Sequence, residues 1–209
     1  GAGLPLASFL GATPRPIPAY NSNGLGLMAP AALADEAEKL LSGGFRAVKL
    51  RLGYPTLRED LAAVRAVRKR IPGEVELMVD YNQALGVAEA LKRGRALDGE
   101  GVYWMEEPIR HDDYDGCAQL RRAMSTPVQI GENFSLVNDM HKALVAGAAD
   151  YVMPDLERIG GVTGWVPAAR LAHWKLVQAE AALAGGIRLG PNGWMFTKDL
   201  VHPWHPSSA

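Results

Sequence analysis

Four acidic residues recur along this chain at nearly even intervals. Asp80, Glu106, Glu132 and Asp155 are separated by 26, 26 and 23 residues. Each stands at or near the end of a short apolar run, within the stretches VDYN, MEEP, IGEN and MPD. Such runs occupy residues 17–20, 47–52, 76–82, 102–108, 128–133 and 150–155. Residues 31–43, 57–71, 86–97 and 136–148 lie between them and show apolar positions recurring at three and four, the helical period. Gly43 and Gly147 supply helix stops. One acid per strand–helix unit restricts the chain to a small set of α/β architectures.

The runs are apolar almost throughout rather than alternating, as in a parallel sheet covered by helices. A doubly wound sheet and a (β/α)8 barrel both satisfy that pattern. In an open sheet the strand-end acids would spread along an edge, whereas in a barrel the C-terminal strand ends converge on one mouth. Four acids at one per unit favour the barrel. Six strands are expected, with a candidate seventh at residues 186–189, so the barrel is incomplete. The strand–helix texture extends over residues 1–171. Residues 172–209 read as a divergent C-terminal segment, a helix followed by loop. Composition excludes several functions. Lys plus Arg is 22 and Asp plus Glu 23, a net charge of −1, which argues against a nucleic-acid binder. A single cysteine, Cys117, excludes an internal disulfide framework and a cysteine-rich zinc site. No apolar run reaches the roughly 20 residues needed to span a bilayer. A cytoplasmic setting without a membrane partner is expected, and open sheet edges suggest homo-oligomers.

One strand-end acid alone reads as a helix cap or an ion-pair partner. Three of them, Asp80, Glu106 and Glu132, on adjacent strands offer oxygen ligands to a hard divalent cation. Lys49 and Arg51 lie two apart in AVKLRL, so both point to one face of their strand. Together these residues describe a metal- and carboxylate-binding site flanked by cations.

The stretches FRAVKLRLGYP, MVDYNQAL, WMEEP, VQIGEN, MPD and RIGGVTGW, in this order and spacing, resemble the barrel domain of the mandelate racemase and muconate lactonizing enzyme family of the enolase superfamily. The resemblance runs from about residue 20 to residue 171. It implies that Asp80, Glu106 and Glu132 bind Mg2+ and that Lys49 lies near the substrate carboxylate. Arg51 stands where that family has a second, basic Lys. Asp155 matches the acid that orients a catalytic His. Asn82 and Ser22 match substrate contacts. The implied chemistry is removal of the proton α to the carboxylate of a small hydroxy or sugar acid, as a racemase or a dehydratase. A divalent ion and a positioned base make so weak an acid reactive.

This chain departs from that pattern. Arg51 hardly deprotonates at neutral pH. The spacing that the resemblance implies for the His leads from Asp155 to near Ala182, with no His close by. The family's N-terminal capping domain and last barrel units have no counterpart in these residues. Impaired turnover is therefore expected, and the alternative is a non-catalytic metal- and carboxylate-binding fragment. Among the remaining features, His173 reads as an exposed helix residue, IGGVTGW as a tight strand-to-helix turn, and HDDYDG at 111–116 as a loop entering a helix. Cys117, Trp104, Met105 and Met153 read as core.

Overall fold

The computed structural model of the chain describes residues 2–184. Five strands, β1 (Ala47–Arg51), β2 (Glu76–Asp80), β3 (Val102–Glu106), β4 (Val128–Ile130) and β5 (Tyr151–Val152), form one parallel sheet. Their spatial order is their chain order, β1-β2-β3-β4-β5. A doubly wound sheet reverses direction at a switch point. This sheet never does, so it is an arc of a (β/α)8-type barrel.

Helices α1 (Leu6–Phe9), α2 (Pro30–Leu41), α3 (Leu57–Arg70), α4 (Val87–Leu97), α5 (Tyr114–Ala123), α6 (Leu136–Ala146) and α7 (Gly161–Ala184) complete the described elements. The connections from α2 onward pack side by side in chain order. Local chemistry fixes several of their ends. Thr56 and Glu59 form a reciprocal capping box at the start of α3, whose last turn carries Arg68, Lys69 and Arg70 against the helix dipole. Asp113 caps α5 by accepting from the Gly116 N–H, so HDDYDG is the loop and helix start expected of it. Gly147 closes α6 in the left-handed conformation.

The outward strand face supplies the core. Val48, Leu50, Leu52, Leu77, Val79 and Tyr81 pack with Leu33, Val64 and Val67 of the covering helices. Val128, Ile130 and Phe134 pack with Leu120, Met140 and Ile159 in a second cluster. Each such aliphatic side chain contributes roughly 2 kcal/mol by leaving water. Met105 and Cys117 are buried here as expected, and burial pushes the Cys117 thiol up to about 12.

Two expectations are corrected. Residues 17–20 form no strand, because Pro16 and Pro18 remove the N–H groups a ladder needs. A single parallel bridge, Asn21 to Val48, is what remains beside β1. Secondly, α7 starts at Gly161, so Pro167 lies inside it rather than in its first turn, and IGGVTGW forms the turn together with the opening of the helix. The helix then continues from the matched segment into the divergent one, and position 182 is helical. The candidate strand at 186–189 lies outside the described residues. No helix among the described residues is long and apolar enough to cross a membrane.

Candidate metal and carboxylate site

Register decides what shares the concave face of the sheet. Lys49 lies beside Met78, and Arg51 beside Asp80. Asp80 lies beside Glu106, Glu106 beside Gln129, and Gln129 beside Tyr151. Side chains of paired residues in a parallel sheet point the same way. Asp80, Glu106 and both cations therefore line one surface.

At its centre Lys49 Nζ stands 3.0 Å from Asp80 Oδ2 and 2.9 Å from Glu106 Oε1. Asp80 Oδ1 accepts from the Asn82 N–H at 2.7 Å, and Trp104 Nε1 donates to Glu106 Oε2 at 3.4 Å. Glu106 is fully buried. Burial raises its pKa, as do the charges of Asp80 and Glu132, while the hydrogen bond from Lys49 works the other way. Burial alone would make Lys49 easier to deprotonate. Its hydrogen bond to Glu106 and the charges of Asp80 and Glu106 outweigh that and hold the ammonium well above its ordinary pKa.

The turns after the strands aim these groups. Gly131 follows β4 at φ 135°, and a Cβ there would meet the backbone N of Met153 at 2.9 Å, so only glycine lets this loop approach its neighbour. Glu132 follows immediately, half-buried and close enough for its charge to act on Glu106, Glu107 and Tyr20. Asn82, Gln83 and Glu107 all adopt positive φ just beyond β2 and β3. Such strain collects where a side chain must be held against local preference.

Sequence spacing did not reveal a second layer. Glu107 is fully buried, with Oε2 accepting from Asn133 Nδ2 at 2.7 Å and Oε1 lacking a partner among the described residues. Burial first, and then the charge of Glu132, push its carboxyl up to about 7. Asn133 Oδ1 in turn accepts from Arg158, which ties the loops after β3, β4 and β5 together. Tyr20 packs edge-on against Trp104 with ring centroids 5.7 Å apart, and its hydroxyl reaches Met153 Sδ at 3.4 Å. Its pKa is raised by burial and by the charge of Glu106. Trp104 is thus half-buried on the functional face rather than a plain core residue. Its place two residues before Glu106 on one strand was the available signal.

The other expected residues make no side-chain hydrogen bond or ion pair with this centre among the described residues. Arg51 is half-buried on the same face, without a side-chain hydrogen bond or ion pair among the described residues. Asp155 is exposed, and its Oδ1 accepts from the N–H groups of Glu157 and Arg158 within its own turn. Ser22 is exposed, and Asn82 takes part through its backbone. Among the described residues no three His, Cys, Asp or Glu side chains are arranged to enclose a metal ion as they lie. Lys49 stands between the first two acids instead.

Comparison with known proteins supplies independent findings. The family described as Enolase C-terminal domain-like matches residues 32–190. The L-talarate/galactarate dehydratase of Salmonella typhimurium is 34% identical over 175 residues, covering 82% of this chain and 43% of that enzyme. A crystal structure of an enolase from alpha proteobacterium bal199 with bound Mg superposes with a TM-score of 0.77 at 46% identity, over 89% of this chain and 50% of that one. An enolase from Bradyrhizobium, complexed with magnesium and mandelic acid, gives 0.73 at 35% identity over 89% and 48%. The chain therefore spans about half the length of these relatives.

Proposed function

The chain belongs to the Enolase C-terminal domain-like family, in the mandelate racemase and muconate lactonizing enzyme group of the enolase superfamily, and we propose that it carries a magnesium-dependent site for removing the proton α to a carboxylate. The substrate class is a small hydroxy or sugar acid, and the reaction is of the racemase or dehydratase type. The observation that carries this reading is the pair Asp80 and Glu106 on adjacent strand ends, with the Lys49 ammonium held between them and Glu132 close enough for its charge to act on Glu106.

That donor set suits the ion. All its donors are carboxylate oxygens, which magnesium prefers; burial first, and then the charges of Asp80 and Glu132, raise Glu106, and a bound cation would relieve that repulsion. Asp80, Glu106 and Glu132 would hold it. When bound, the ion would stabilise the negative charge that develops on the substrate carboxylate as the α-proton leaves. Lys49 is the base available at the matched positions, and Arg51 adds positive charge on the same face. Asn82 and Ser22 are the candidate substrate contacts, and Asp155 the candidate positioning acid, that the resemblance implies.

Turnover by this arrangement is slow. Lys49 must shed a proton to act as a base, and its hydrogen bond to Glu106 opposes that. A guanidinium is a poor general base, and the sequence position to which the resemblance assigns the partner His lies within helix α7. Loss of one positioned base typically costs ~100- to 10,000-fold. The charged state of Lys49 also favours a second reading, in which the site binds metal and carboxylate without exchange.

Incubation in D2O with magnesium and a panel of 2-hydroxy and sugar acids, followed by NMR of the α-proton, tests both. Slow, magnesium-dependent deuteration that disappears in Lys49→Met is the expected result. Binding without deuteration selects the second reading, and equal exchange in Lys49→Met removes Lys49 from its role.

A further inference from the structure

We infer that Asn133 is the positioning residue of the cation site: its amide holds the Glu132 carboxylate in place and thereby sets the affinity for the metal. This inference rests on the function proposed above and adds a residue outside the acid set.

Asp80 and Glu106 are each held by two partners. Lys49 takes one oxygen of both, and the Asn82 N–H and Trp104 Nε1 take the other. Glu132 stands apart. Among the described residues its one side-chain hydrogen bond comes from Asn133, whose Nδ2 lies 3.4 Å from Glu132 Oε1. A glutamate rotates about several side-chain bonds, so a carboxylate without a partner samples many positions. Ordering it on an ion then costs entropy that a pre-set carboxylate does not lose.

The turn that carries both residues fixes its own ends. The Phe134 N–H donates to the Gly131 carbonyl at 3.1 Å, which leaves Glu132 and Asn133 at the centre of the turn. Gly131 is held by its close approach to Met153, and Phe134 is buried in the second core cluster. Only the directions of the two central side chains are left to be set, and Asn133 is tied on every side. Its Nδ2 also donates to Glu107 Oε2 at 2.7 Å, and its Oδ1 accepts from Arg158 Nη1. Arg158 is anchored through its backbone in turn. Its N–H donates to Asp155 Oδ1 at 2.9 Å, and its carbonyl accepts from the Leu136 N–H at 3.0 Å. An amide offers two N–H bonds on one side and an acceptor on the other. Here the donors face two carboxylates and the acceptor faces a guanidinium. The flipped amide would set oxygen against both acids, so only this orientation fits.

Titration of the full chain with manganese, followed by electron paramagnetic resonance of the free ion, tests the assignment. Manganese is a hard divalent probe for the same oxygen ligands. Asn133→Leu keeps the volume and removes the donors, and it should weaken binding about 10- to 100-fold. In a Glu132→Gln background the same substitution should change affinity by less than about twofold, because the group it acts through has gone. Circular dichroism checks folding. If Asn133→Leu alone does not fold, the comparison is made in Glu107→Gln, where no buried charge is left without its donor, and the same losses are expected. Unchanged affinity in Asn133→Leu, or an equal loss with and without the Glu132 carboxylate, would overturn this inference and leave the proposed function standing. A wild-type chain that binds neither manganese nor magnesium would overturn both.

Discussion

Glu107→Gln should stabilise the metal-free protein at high pH and do almost nothing at low pH. The carboxyl of Glu107 is raised from 4.5 to about 7 by burial and by the charge of Glu132. A carboxyl whose folded pKa exceeds its unfolded value contributes stability that is complete below the unfolded pKa. That stability is lost as pH rises through the folded pKa, because the unfolded chain releases its proton first. The window is therefore about pH 4.5 to 7. A shift of that size, at 1.36 kcal/mol per unit, corresponds to at most about 3 kcal/mol by pH 8. Glutamine mimics the protonated acid, and its amide oxygen can still accept from Asn133 Nδ2. Urea unfolding in EDTA at pH 4.5 and pH 8 reads the difference between variant and wild type, in which other titrating groups cancel. The variant should match wild type at the lower pH and exceed it by up to about 3 kcal/mol at the higher. A difference independent of pH would refute the reasoning.

Two further substitutions probe the frame behind the site. Asp60 is fully buried and takes Arg93 Nη1 at 2.7 Å, the Tyr81 hydroxyl at 2.8 Å and the N–H groups of Gly53 and Tyr54. Arg93→Met strands that carboxylate and should cost about 3–5 kcal/mol in urea unfolding; a loss below about 1 kcal/mol would mean that Tyr81 and the two amides suffice. Gly164→Ala would place a Cβ 1.8 Å from the Ile159 carbonyl oxygen, a backbone atom that cannot turn aside. It should lower Tm by about 4–8 °C, as expected for roughly 2 kcal/mol of overpacking, and an unchanged Tm would show that the first turn of α7 shifts freely.

The carboxylate framework was legible because it depends on periodicity. One acid per strand–helix unit, and two cations two residues apart on a strand, are relations that the parallel sheet preserves. The first run failed because apolar content at Ile17 and Tyr20 was weighed without the donors that Pro16 and Pro18 remove. Spacing placed Lys49 on the face of the acids, but it could not say that Nζ would reach both Asp80 and Glu106, since that depends on rotamers and burial. Nor could it separate Glu106 from Glu107. A positive φ at Glu107 sends that side chain to Asn133, and no strand alternation foretells such a turn. The Asn133–Arg158 contact joins loops 25 residues apart in sequence and leaves no local trace.

The central claim is that Asp80, Glu106 and Glu132 form the cation site, with Glu107 behind it. Calorimetric titration of magnesium into wild type, Glu106→Gln and Glu107→Gln tests it most directly. One ion should bind per wild-type chain, Glu106→Gln should weaken that binding by at least about tenfold, and Glu107→Gln should change it by less. Equal losses in the two variants, or a wild-type chain that binds no magnesium, would contradict the account.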